Sequence, residues 1–196
     1  MGHHASRAIL CALVLAVLAA GCASPPSRFY TLSATAAPGT PPLKSSVAVG
    51  PVTVPGAVDQ PQIVVSAGPN QVTFDEFNRW ASPLQDNISR VVAENLVAIL
   101  GTPRVTLFPQ TLNADVDIRV QIEIRNFEST PGKSAALDAV WTVRRTSGGK
   151  SVTGRTSVRE PVSEGGYDAL AAAHSRALAR LSQDIAETVR TVDRAS

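Results

Sequence analysis

Reactive side chains are scarce in this 196-residue chain, which has two cysteines, three histidines and one methionine. His3 and His4 sit at the start, so His174 alone could serve the rest of the chain. A hydrolytic triad or dyad needs a histidine in a pocket beside an activated nucleophile. His174 instead falls among Leu170, Leu178 and Leu181 at helical spacing, the position of a core residue. Zinc needs three or four ligands, and one histidine with one free cysteine cannot supply the usual set. Asp115-Val116-Asp117 opens a strand, so its carboxylates point to opposite faces and do not converge on calcium. No Gly-rich phosphate loop precedes a helix. The chain therefore reads as a binding protein rather than an enzyme, with no metal. Aromatics make up only 5%, too few for a cleft built on ring stacking. Net charge is +2, from 18 basic and 16 acidic residues, which is not the footprint of a nucleic-acid binder.

Long apolar runs are also missing, with one exception at residues 8–20. Thirteen residues at ~1.5 Å each span ~20 Å, short of a ~30 Å hydrocarbon core. Behind Arg7, and closing on Leu18-Ala19-Ala20-Gly21-Cys22, the run has the layout of a secretory signal peptide. A cysteine directly after the cut resembles the lipobox of bacterial lipoproteins, although Ala19 stands where that motif usually has Leu. The resemblance implies removal of residues 1–21 and lipid on Cys22. Two or three acyl chains anchor firmly where one is marginal. Ala23 in place of Asp favours delivery to the outer membrane, by the sorting rule of enteric lipoproteins. Cys11 leaves with the signal peptide, so no intrachain disulfide can form and packing alone supplies stability.

The remainder suits one domain. Residues 22–27 read as the lipidated N-terminus and tether, and 28–196 as a single α+β domain with a Pro-rich loop at 34–46. The expected architecture is a mixed, mainly antiparallel sheet with two long amphipathic helices packed on one face. Short strands are expected at 28–32, 47–54, 63–65 and 71–74, with Gly50-Pro51 marking a bulge or an edge. The alternation at 116–124 predicts a half-buried strand, with Asp117, Arg119, Gln121 and Glu123 outward. Segments 137–145 and 151–159 flank Ser147-Gly148-Gly149-Lys150 as a hairpin that turns Trp141 inward.

Ser82, Pro83 and Gln85 suggest a capping box and first turn for a helix whose apolar stripe is Leu84, Ile88, Val91, Val92, Leu96 and Ile99. Gly101 ends it. Asn95 lies in the stripe, either as a buried amide bonded to loop backbone or as the polar lining of a cavity. A last helix is expected over 167–192, with Arg180 and Asp184 placed to pair.

Four motifs follow one another behind the lipobox. They are Arg28-Phe29-Tyr30-Thr31-Leu32, then Val49-Gly50-Pro51-Val52 with Val54-Pro55, then Asp59-Gln60-Pro61-Gln62-Ile63-Val64, then Asn78-Arg79-Trp80-Ala81-Ser82-Pro83-Leu84. Together they resemble the ABC-type transport auxiliary lipoproteins, a PqiC-like family. The chain departs from that pattern at Gln60 and near Ser66, where the family tends to carry Arg. The resemblance implies an auxiliary lipoprotein of the outer membrane, anchored on its periplasmic face. Its implied partners are a periplasmic MCE-domain protein, which forms a lipid conduit, and an inner-membrane permease or ABC transporter. It also implies support of envelope integrity and no cofactor beyond the covalent lipid on Cys22. MCE assemblies are rings, which makes a matching homo-oligomeric ring of lipoproteins reasonable. Candidate partner-binding residues are Phe29, Tyr30, Arg79 and Trp80. Phe29 and Tyr30 should send one ring inward and one outward. Trp80 suits either a hydrophobic staple or an interface anchor. Two rivals stay open: an assembly factor or plug of another outer-membrane machine, for secretion or lipopolysaccharide export, and a lipid-anchored hydrolase.

Overall fold

The computed structural model describes residues 25–108, 116–149 and 151–194. Cys22 and Asp115 lie outside them. The elements run β1 (Arg28–Tyr30), β2 (Val47–Thr53), β3 (Gln62–Gly68), β4 (Gln71–Trp80), α1 (Leu84–Leu100), β5 (Val105–Leu107), β6 (Ile118–Thr130), β7 (Ser134–Arg145), β8 (Ser151–Pro161) and α2 (Tyr167–Arg194). The fold is α+β, with mixed pairing in which the longer ladders are antiparallel. The strands divide into two sheets. One has the order β1-β4-β3, the other β5-β2-β6-β7-β8.

The larger sheet follows from its side-chain pattern. Ile118, Val120, Ile122 and Ile124 of β6 face the core, as do Ala135, Leu137, Ala139, Trp141 and Val143 of β7. Leu170, Leu178, Leu181, Ile185, Val189 and Val192 of α2 close that layer, all 0–1% exposed. Alternation in β6 changes parity at a bulge between Ile124 and Asn126. Beyond it Phe127 and Ser129 become the inward residues. A second bulge falls between Val49 and Val52 of β2. Gly50 occupies it with φ +122°, a backbone setting that favours glycine. β5 pairs with β2 only over Val47–Val49, so Gly50-Pro51 lies at the bulge, just past the end of that pairing. Gly154 sits opposite Trp141, and a Cβ there would come within 2.3 Å of the indole. That missing side chain lets the ring lie across β8, with Nε1 donating to Thr156 Oγ1 at 3.0 Å.

Two local expectations are corrected. Helix α1 begins at Leu84, and Pro83 takes the cap position with ψ 135° and no side-chain cap. Ser82 is therefore one residue too early to cap, and the proline that fixes φ holds the turn instead. Arg180 and Asp184 do not pair. Asp184 accepts from Thr156, and Arg180 lies 4.0 Å from Glu160. Gly101 ends α1 in the left-handed conformation, φ 64°, as its position predicts.

Candidate functional site

The region after residue 25 is built around a strap, residues 31–39, that has no sheet partner among the described residues and lies between the two helices. Several of its backbone amides are satisfied by side chains. Asn87 Oδ1 accepts from Leu32 N at 3.2 Å, and Asn95 Oδ1 accepts from both Thr35 N and Ala36 N at 3.0 Å. Ser175 Oγ on α2 accepts from Ser33 N at 3.0 Å and donates to Ala171 O. Gly39 N bonds to Ala98 O at 3.1 Å, and a Cβ on Gly39 would lie 2.1 Å from Ile99 O. Asn95 is thus the buried amide bonded to loop backbone. Asn87 plays the same part and went unread. Its signal was available: two asparagines eight residues apart share one face of an otherwise apolar stripe. Arg90 completes the clamp by donating to Leu32 O at 2.6 Å while its other nitrogen pairs with Glu94 at 3.0 Å. A groove of about 650 Å³ runs along the strap, between Ser33 and Thr35 on one side and Ala172, Arg176 and Gln183 of α2 on the other.

β1 carries the strap into the small sheet. It pairs in parallel with β4, so that Phe29 stands opposite Arg79 and Tyr30 opposite Trp80. The four residues singled out in the sequence are therefore two neighbouring rows of one strand pair. The rows face opposite ways. Phe29 is 64% exposed, the most open large apolar side chain among the described residues. Arg79 beside it is tied to Glu76, at 2.8 Å to the carbonyl and 3.3 Å to the carboxylate. The inward row is structural. Tyr30 donates to Asn78 Oδ1 at 2.8 Å and its ring lies 5.9 Å from Tyr167. Trp80 is 6% exposed and meets Phe127 edge-on at 6.3 Å. The indole surfaces only at the floor of a groove of about 410 Å³ bordered by Gln60, Pro61, Ser82 and Pro83.

Charges near Tyr30 are fixed in place. Burial, then a hydrogen bond to Asp75, pushes the Tyr167 phenol up to about 12. Donation by Phe77 N and by the Asn78 amide holds the Asp75 carboxyl below its usual range. At neutral pH the phenol stays protonated and the carboxylate ionised, so this cluster braces the junction of β4 with α2. Asp117 is likewise held low, first by Ser46 N and Ser46 Oγ. It serves to lock β2 to β6 at their start, and no group of metal-ligating residues occurs among the described residues.

The profile of the ABC-type transport auxiliary lipoprotein component matches residues 30–186. The chain belongs to this family. Two crystal structures share the auxiliary lipoprotein's fold. One is a protein of Xanthomonas campestris from a domain family of unknown function, 18% identical, with a TM-score of 0.71 over 86% of this chain and 98% of that one. The other is an uncharacterised protein, 19% identical, with a TM-score of 0.69 over 84% of this chain and 99% of that one. No curated protein matches. No helix among the described residues is long and apolar enough to cross a membrane.

His174 of the auxiliary lipoprotein lies wholly in the core. Its ring stacks on Phe127 at 3.8 Å, and Nε2 is 2.8 Å from Ser129 Oγ. The pair has the elements of a nucleophile and base, with Ser129 3% and His174 0% exposed. Nδ1 has no partner. A proton there would be an unmet buried donor, which favours the tautomer with the proton on Nε2, donated to Ser129. Burial pushes the imidazole down to about 3.

Proposed function

We propose that this auxiliary lipoprotein is anchored through Cys22 to the periplasmic face of the outer membrane. There it docks the periplasmic MCE conduit of an MCE/ABC-type lipid-transport system. Membership of the family over residues 30–186 carries the reading. Geometry supports it. Six tether residues, 22–27, reach at most ~21 Å, so the anchor holds β1 close to the membrane. Phe29 then presents an apolar contact at that end, beside the guanidinium of Arg79. The protein acts by binding, in keeping with the burial of the Ser129–His174 pair. A closed ring of copies would let several weak contacts act together. A monomer at high concentration in detergent would count against the ring.

The experiment is affinity purification of the lipidated protein from gently solubilised envelopes, read by mass spectrometry. The expected result is co-recovery of an MCE-domain protein and its permease, reduced in Phe29→Ala. Recovery of an outer-membrane β-barrel with no MCE partner would sink the reading and promote an assembly-factor role.

A further inference from the structure

Several charges on the outward face of the larger sheet are held in pairs. Arg125 is matched by Glu123 at 3.3 Å, and Arg155 by Asp138 at 2.8 Å. Arg119 of β6 and Arg144 of β7 stand directly opposite each other in register, and neither has an ion-pair or hydrogen-bond partner among the described residues. Residues opposite one another on antiparallel strands have Cβ atoms ~4.5–5.5 Å apart, and like charges there destabilise the sheet. The next row supplies no carboxylate either. It holds Gln121 opposite Thr142, and Thr142 Oγ1 is bonded to Thr153 Oγ1 at 3.0 Å. Arg119, Arg144, Gln121, Thr142 and Thr146 enclose a hollow of about 290 Å³.

We propose that this hollow is an anion site for a phosphate group, either free or in a lipid headgroup. An anion between the two guanidiniums converts their repulsion into two charge-assisted contacts. Each fork brings five N–H donors and no acceptor, which suits a tetrahedral oxyanion better than a neutral ligand. The Gln121 amide and the threonine hydroxyls add neutral donors around it. Its lining residues are all polar or charged, their arginine stems and threonine methyls supplying the apolar surface, and the volume suits a headgroup rather than an acyl chain. The site lies on the sheet face opposite the helices, so it is separate from β1 and independent of the docking role.

The test titrates the purified full-length protein, in a neutral detergent, with inorganic phosphate and with dihexanoyl phosphatidylglycerol. Saturable binding is expected for the wild type. It should weaken at least tenfold in Arg119→Gln and in Arg144→Gln, and stay unchanged in Arg155→Gln, which loses the same charge from the same face. Each of the two active variants should also melt at or above the wild-type temperature without phosphate, because the repulsion is relieved. Tighter binding of the phosphatidylglycerol than of phosphate would assign the site to a lipid headgroup, and equal binding would assign it to phosphate itself. Absence of saturation with both probes, or equal losses in all three variants, would overturn the site.

Discussion

The two sheets of this lipoprotein are held by different means. The larger one, with α2 across it, is bound by apolar surface: long ladders, a stripe dominated by Leu, Ile and Val, and inward residues 0–6% exposed along β7. The smaller one buries Ile63, Val65 and Trp80 in the same core, and the strap that leaves it adds polar pins. β1 has only three residues, β4 is largely exposed, and the strap depends on Asn87, Asn95, Ser175 and Arg90 for its bonds. Apolar burial is tolerant of detail and makes a rigid body. Side-chain pins are specific, and each one lost leaves a buried amide without a partner.

That contrast can be broken from either side. Leu181→Ala, in the apolar half, should cost about 2–5 kcal/mol in urea unfolding, because it opens a cavity where α2 meets the sheet. A cost under 1 kcal/mol would mean that this layer is loosely packed. Asn95→Ala should cost about 2 kcal/mol by orphaning Thr35 N and Ala36 N. It should also speed amide exchange in residues 31–39 while leaving β6 and β7 protected; uniform loss of protection would erase the distinction between the halves. His174 titrates between them. Its folded value, about 3, lies below the ordinary 6.5, so the unfolded chain binds the extra proton. The stability this confers is complete above pH 6.5 and falls as pH drops toward 3, by about 1.4 kcal/mol per pH unit. A His174→Gln variant should show a flatter stability profile across that window, and an unchanged slope would clear His174 of the effect. The smallest change is expected at Phe29→Ala, within about 0.5 kcal/mol in stability because the ring is 64% exposed. Its effect should appear instead in partner recovery.

Much of the apolar half was legible in the sequence. The alternation of Ile118, Val120, Ile122 and Ile124, the Ser147–Gly149 turn and the α2 stripe each report a local period, and local periods survive folding. What was hidden involved a change of period or a distant pairing. The bulge at Arg125 and Asn126 shifts the inward set from even to odd numbers. Phe127 and Ser129, which stack on and bond to His174, thus fell outside the read strand. β4 likewise continues past Phe74 to Trp80, across an irregular stretch where the Asp75 carboxylate binds its own chain at Phe77 N. β5 is too short to show a period. The split into two sheets rests on β1 joining β4 across nearly fifty residues, which no local pattern encodes. At the candidate site, family motifs found Phe29, Tyr30, Arg79 and Trp80, and the parallel register explains why they occur together. The motifs do not separate the exposed row from the buried one. Arg119 was legible only as an outward residue and Arg144 only as part of a hairpin strand, since their opposition depends on the register of β6 against β7.

The strap also decides how the molecule carries load. Tension applied at residue 25 arrives first at β1, whose bonds to β4 lie side by side, so a pull along the strand shears them together and does not peel them singly. Past β1 the force passes to Asn87 and Asn95 on one helix and Ser175 on the other, and so divides between the two longest rods of the fold. A chain loaded at its first described residues would otherwise unravel from that end, and here that entry point is stitched to both helices.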